Sequence, residues 1–101
     1  MLQLTFLGTS AGKPTKERNV SALALEFDQD NKWYLFDCGE ATQHQIIRSR
    51  LSIGKLDTVF ITHMHGDHYY GLPGLLSSKA LDTAFRPLTV YGPKGIKKFL
   101  D

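Results

Sequence analysis

Three of the four histidines of this 101-residue chain lie within six consecutive positions. They belong to the stretch THMHGDH, in which His63, His65, Asp67 and His68 are the side chains able to bind a metal or exchange a proton. Imidazole and carboxylate ligands suit zinc, manganese or iron. A thiolate-rich structural zinc site is excluded, because Cys38 is the single cysteine. Four potential ligands so close together predict a metal centre rather than a solvated polar loop.

The spacing of the four residues predicts two neighbouring metal ions. His63 and His65 are two positions apart, so on an extended segment their side chains point the same way and can meet one ion. Asp67 and His68 are adjacent and need a bend, which we expect Gly66 to supply because glycine adopts backbone angles that other residues avoid. Known two-metal sites hold their ions roughly 3.5–4 Å apart. We therefore expect His63 and His65 at one ion, and Asp67 and His68 at the other.

The elements that must position this cluster follow from the periodicity of the apolar residues. Alternating apolar and polar residues predict strands at LQLTFL, at Ser21–Phe27 and at WYLFD, and the short turn DQDNK predicts an antiparallel hairpin. A compact buried strand, Thr58–Ile61, leads directly into the cluster. Helical spacing places Ala41, Ile46 and Ile47 near one face of GEATQHQIIRSRL. Further elements are predicted at LPGLLSSKAL (helix), PLTVYG (strand) and PKGIKKFLD (helix). The order predicts an α/β fold, a mixed sheet with flanking helices.

The motif THMHGDH resembles the H-x-H-x-D-H signature of the metallo-β-lactamase superfamily. Its extension HGDHYYGLPGLL is similar to ribonuclease Z, the family of endonucleases that mature tRNA 3′ ends. The segments FLGTSAGKPTKERNVS, FDCGEATQHQ and LTVYGPKGI resemble further parts of the same family, so the likeness covers nearly the whole chain. The metal motif alone indicates only the superfamily, whereas the combination indicates ribonuclease Z.

This resemblance implies the N-terminal part of a metallo-β-lactamase-type αβ/βα sandwich, with residues 1–101 as a partial domain whose C-terminal half is absent. It implies two Zn²⁺ ions, precursor tRNA as the partner and a homodimer. It also implies removal of the 3′ trailer by phosphodiester hydrolysis with a metal-bound hydroxide. Further metal ligands are expected downstream, so the 101 residues alone are expected to be inactive. The donor set by itself leaves other divalent metals open.

Several residues take roles by the same resemblance. Asp67 is expected to be both a metal ligand and the base that holds the proton of the hydroxide. The segment PTKERN matches a family loop that handles the 3′ end of the substrate, which assigns substrate binding to Lys16, Arg18 and Asn19. Asp37 ends a strand, where its carboxylate either accepts a hydrogen bond from a ligand histidine or caps the following helix.

The composition bounds the remaining possibilities. A formal net charge of +2 is only weak support for a polyanionic partner. One cysteine, no secretion signal and no apolar run of membrane-spanning length favour a cytoplasmic protein. Two other functions stay open. One is a different metallo-β-lactamase-fold hydrolase acting on a thioester, a sulfate ester or a cyclic nucleotide. The other is a non-catalytic metal- or RNA-binding module that ends at Asp101.

Overall fold

One five-stranded sheet organises the described part of the chain. The computed structural model describes residues 2–9, 20–27, 31–81 and 87–100, without the side chain of Asp67. The strands lie across the sheet in chain order: β1 (Leu2–Gly8), β2 (Ala22–Phe27), β3 (Trp33–Phe36), β4 (Leu56–Phe60) and β5 (Thr89–Tyr91). The strands β1, β2 and β3 pair antiparallel, whereas β3, β4 and β5 pair parallel. The sheet is therefore mixed, as the sequence predicts.

Short helices lie between the parallel strands and after the last of them. They are α1 (Thr42–Arg48), α2 (Gly66–Tyr69), α3 (Leu72–Ala80) and α4 (Ile96–Leu100), with a 3₁₀ turn at Ile53–Lys55. In α3 a proline occupies the first turn, where its missing N–H leaves no hydrogen bond unmade. The strand expected at Thr58–Ile61 begins two residues earlier and ends one residue earlier. Within the described ranges, no helix has the length and apolar character needed to cross a membrane.

The core lies between one face of the sheet and the helices. Ala24, Leu35 and Val59 are completely buried on this face, and Ile46 of α1 and Leu75 of α3 belong to the same cluster. The prediction that Ile47 shares the buried face of α1 is wrong, because Ile47 is 73% exposed. Successive residues of a helix are turned by about 100° from one another, so Ile46 is buried while Ile47 points to solvent.

The opposite face of the sheet is also apolar. The rings of Phe36 and Phe60 stack with centroids 4.9 Å apart, and Phe60 stacks on Tyr91 at 5.5 Å. On β1, three large side chains of this face are at least half exposed: Leu2, Leu4 and Phe6. An apolar surface of this extent is unusual for the outside of a monomeric protein.

Candidate metal centre

Two parallel strands bring the first residues of the site together. Asp37 follows β3, and Thr62 lies two residues after β4. Because parallel strands end at the same edge of a sheet, these two residues become neighbours. The backbone N–H of Asp37 donates to the carbonyl of Phe60 at 2.7 Å, and the N–H of Thr62 donates to Asp37 Oδ1 at 2.8 Å. The sheet therefore fixes the point at which the histidine cluster begins.

The carboxylate of Asp37 is buried, with 8% of the residue exposed, and gathers several donors. The hydroxyl of Thr62 lies 3.0 Å from Oδ1 and 2.9 Å from Oδ2. Nδ1 of His68 lies 2.8 Å from Oδ2. The N-cap residue of helix α1 is Ala41, and no side chain caps the helix. Of the two interpretations of Asp37, the structure therefore shows the histidine contact and not the helix cap.

Three histidines converge beside this carboxylate. Nδ1 of His63 lies 2.9 Å from the hydroxyl oxygen of Thr62. The ring of His63 has its centroid 3.8 Å from that of His68 and 4.9 Å from that of His65. The structure thus brings His63, His65 and His68 together. Among the described side chains, no three His, Cys, Asp or Glu residues are grouped as ligands of one ion. The side chain of Asp67 lies outside that description.

Backbone hydrogen bonds hold His68 beside the turn that carries Asp37. The N–H of Cys38 donates to the carbonyl of His68 at 2.8 Å, and the N–H of Gly71 donates to the carbonyl of Cys38 at 2.9 Å. These two hydrogen bonds dock the segment from α2 to α3 onto the turn that carries Asp37. A Cβ on Gly71 would meet the carbonyl of Gly39, so the docking requires glycine at this position.

The predicted bend at Gly66 is wrong. Gly66 begins the short helix α2, and the one described glycine with a positive φ is Gly95. The turn towards His68 is made by helical backbone that most residues adopt. A Cβ at position 66 would meet the ring of Tyr70, and this exposed ring would have to move to accommodate it.

Burial and packing describe three further residues, Cys38, His44 and Tyr69. Cys38 is buried, and burial raises the pKa of its thiol to about 12; Thr42 lowers it and the charge of Asp37 raises it further. The thiol is therefore protonated and unreactive at neutral pH. His44 is exposed on α1. Tyr69 packs on Phe99 with ring centroids 4.6 Å apart.

A groove of about 500 Å³ opens beside Asp37 and Thr62 and extends to Phe6, Gly8 and Thr9. The predicted substrate-binding residues Lys16, Arg18 and Asn19 lie outside the described residues.

Sequence reasoning missed Thr62, which touches both Asp37 and His63. The available signal was a polar β-branched residue between a buried strand and the first histidine.

Known proteins resemble this chain over nearly its full length. The family model described as Anti-Pycsar protein Apyc1 matches residues 2–100. Ribonuclease Z of Limosilactobacillus fermentum is 56% identical over 100 residues, which cover 98% of this chain and 32% of that protein. The crystal structure of the short form of human tRNase Z has a TM-score of 0.89 and 44% identity, over 99% of this chain and 38% of that one.

The fold has a second solved counterpart. The metallo-β-lactamase-fold protein YhfI of Bacillus subtilis has a TM-score of 0.84 and 25% identity, over 99% of this chain and 40% of that one. The mixed sheet with flanking helices therefore has the metallo-β-lactamase fold, and the predicted fold class is confirmed. The chain spans about a third of the length of the curated relatives it matches.

Proposed function

We propose, from the premise that the chain belongs to the Anti-Pycsar protein Apyc1 family and matches the N-terminal part of ribonuclease Z, that it forms part of a metal-dependent endoribonuclease. The enzyme removes 3′ trailers from precursor tRNA. The observation that carries this proposal is the convergence of His63, His65 and His68 on one edge of the sheet, in a chain 56% identical to a ribonuclease Z.

The donor set fits a metal site. Nδ1 of His68 faces the carboxylate of Asp37, and Nδ1 of His63 faces the hydroxyl of Thr62. A histidine that donates from Nδ1 carries its lone pair on Nε2, which is how ligand histidines are commonly oriented. We assign His63 and His65 to one Zn²⁺ ion, and Asp67 and His68 to a second. When bound, zinc supplies a Lewis acid for the phosphoryl oxygens and makes a water nucleophilic near neutral pH.

The protein residues perform the remaining steps. Asp67 accepts the proton of the attacking water as its oxygen bonds to the phosphorus. The bond from phosphorus to the 3′ oxygen of the tRNA breaks and this oxygen takes up a proton from solvent, which leaves a 3′-hydroxyl on the tRNA and a 5′-phosphate on the trailer. Lys16 and Arg18 bind phosphates of the RNA through charge-assisted hydrogen bonds, and Asn19 contacts the 3′ end.

The rest of the assembly completes the site. Catalytic zinc normally has about three protein ligands and an open position, so four ligands for two ions require further ligands. Residues 1–101 thus form part of a larger domain, in which these ligands come from the rest of the protein. The intact enzyme is a cytoplasmic homodimer in this proposal. The 101-residue chain by itself binds zinc weakly and does not cleave precursor tRNA.

A chimera tests the proposal in the context of a complete enzyme. Residues 2–100 replace the matching segment of the Limosilactobacillus fermentum ribonuclease Z, and the product is assayed on a precursor tRNA with a 3′ trailer. We expect cleavage that leaves a 3′-hydroxyl, its loss in Asp67→Ala, and its retention in the control His44→Ala. The position of the cut and the end groups are read by sequencing.

Two outcomes contradict the proposal. A chimera that folds and binds zinc but leaves the precursor intact argues against tRNA as the substrate, and hydrolysis of a cyclic nucleotide by the same protein would favour the other class of hydrolase. If Asp67→Ala retains both normal zinc content and normal turnover, the assignment of Asp67 is wrong.

A further inference from the structure

We infer that Thr62 is a positioning residue that sets the tautomer of His63, so that the single carboxylate of Asp37 orders the protons of two histidines. Asp37 holds the proton of His68 on Nδ1 by direct contact, and it holds the proton of His63 on Nδ1 through the hydroxyl of Thr62. The assignment of these rings to metal ions rests on the proposed function, but the proton order itself does not.

The hydroxyl of Thr62 has one hydrogen and three neighbouring atoms that could receive it. Its hydroxyl oxygen lies 3.0 Å and 2.9 Å from the two carboxylate oxygens of Asp37, and 2.9 Å from Nδ1 of His63. A hydroxyl has one hydrogen to donate and two lone pairs that accept. An ionised carboxylate only accepts, so the hydrogen of the hydroxyl belongs to Asp37.

The direction of the Thr62 hydroxyl in turn fixes the tautomer of His63. Once the hydroxyl donates to Asp37, it presents a lone pair to Nδ1 of His63. Two acceptors facing one another at 2.9 Å repel, so Nδ1 must carry a hydrogen. Neutral His63 is thereby held with its proton on Nδ1 and its lone pair on Nε2.

The two histidines can then be compared. Nδ1 of His68 lies 2.8 Å from Oδ2 of Asp37, so the same reasoning gives it a proton on Nδ1 without an intermediary. Asp37 then accepts the N–H of Thr62, the O–H of Thr62 and the ring N–H of His68. One buried acid thus gives both rings the same orientation of donor and lone pair.

The geometry also explains why threonine suits this position. Its backbone N–H donates to Asp37 at 2.8 Å, which anchors the residue beside the carboxylate. Its β-branch restricts the first side-chain torsion, which holds the hydroxyl between Asp37 and His63. Serine keeps the hydroxyl with more torsional freedom, and valine keeps the branched shape without the hydroxyl. These two substitutions separate hydrogen bonding from packing.

The test reads ring tautomers directly by long-range ¹H–¹⁵N NMR of the metal-free 101-residue chain, at a pH where the imidazoles are neutral. In the wild type and in Thr62→Ser we expect His63 mainly as the Nδ1–H tautomer. In Thr62→Val we expect the majority of His63 to carry the proton on Nε2. His68 keeps its Nδ1–H form in all three proteins, and exposed His44 reports a ring outside the cluster.

A metal titration supplies a second readout. We expect Thr62→Val to bind zinc about 10-fold more weakly, the lower end of the effect known for residues that orient a metal ligand. Thr62→Ser should recover most of that loss. A purely structural role would lower stability in Thr62→Val without exchanging the tautomer of His63.

Each result decides the inference. If His63 of the wild type carries its proton on Nε2, the inference is overturned whatever the variants do. If Thr62→Val keeps the wild-type tautomer, Thr62 does not set it. If Thr62→Val exchanges the tautomer of His63 as expected but the complete enzyme does not cleave precursor tRNA, the proposed function is wrong and this inference still holds.

Discussion

The close approach of Gly71 to the turn that carries Asp37 makes Gly71→Ala a sharp probe of how the site is held. Gly71 has φ −79° and ψ −10°, angles that alanine adopts without strain. The cost of the substitution therefore comes from contact. The added Cβ would meet the carbonyl oxygen of Gly39. Because this oxygen belongs to the backbone, it cannot move aside by a side-chain rotation.

The expected magnitude follows from two effects. Overpacking a buried contact costs about 2 kcal/mol, and moving α3 away to relieve it weakens the hydrogen bond from Gly71 to Cys38, which costs about 1 kcal/mol. We expect the free energy of unfolding to fall by about 3 kcal/mol, which lowers the melting temperature of a domain of this size by about 12 °C or more. Urea denaturation and thermal denaturation both measure this loss.

Gly74→Ala is the matched control for this prediction. Gly74 lies inside α3, and a Cβ there would meet the amide of Gln43, the movable end of a long side chain. Alanine in place of glycine in a helix stabilises it by about 0.5–1 kcal/mol, so we expect no loss of stability. A loss of unfolding free energy in Gly71→Ala no larger than that in Gly74→Ala would refute the steric contact with Gly39 as the cause. Hydrogen exchange at the amide of Cys38, which donates to His68, should also rise only in Gly71→Ala.

Three other substitutions or conditions test separate parts of the structure. Asp37→Asn replaces an acceptor of three hydrogens by a group with one acceptor oxygen, so we expect a loss of about 2 kcal/mol or more in unfolding free energy, measured in urea. Ala41→Gly relieves a positive φ of 64°, which stabilises the fold by about 1–2 kcal/mol. The entropy cost of glycine offsets part of this, so we expect a net gain of about 0.5 kcal/mol in unfolding free energy, measured by thermal denaturation. The pKa of the Cys38 thiol rises from 9.0 to about 12 in the folded protein. The folded chain therefore holds a proton that the unfolded chain loses above pH 9, so stability falls between pH 9 and 12 by up to about 1.4 kcal/mol per pH unit. Urea midpoints of Cys38→Ala should lack this part of the pH dependence, and a wild-type slope equal to that of the variant would contradict it.

The sequence was informative wherever a pattern depended on neighbours along the chain. The alternation in β1, β2 and β3 places every second side chain on one face, and that period is visible without a structure. The crowding of His63, His65 and His68 was visible for the same reason. Ile47 was misplaced because two adjacent apolar residues on a short helix leave open which of them faces the sheet.

Contacts between distant segments were not visible in the sequence. The backbone angles at position 66 were also misjudged, because the glycine was attributed to a bend whereas it lies in helical backbone without a positive φ. Thr62 was passed over because its partner Asp37 lies 25 residues earlier in the chain. The error at Thr62 has a physical source, since a spacing rule describes local geometry and the role of Thr62 comes from tertiary packing.

The pairing of Asp37 with Thr62 has a consequence for how the sheet forms. These residues follow β3 and β4, which pair parallel with Phe36 opposite Phe60. A slip of one residue between the strands would move Thr62 by about 3.3 Å and turn its side chain to the other face. Asp37 would then be buried without its donors. The hydrogen bonds among Asp37, Thr62 and His63 thus form only when β3 and β4 pair in the correct register, and the tautomer of His63 reports that register.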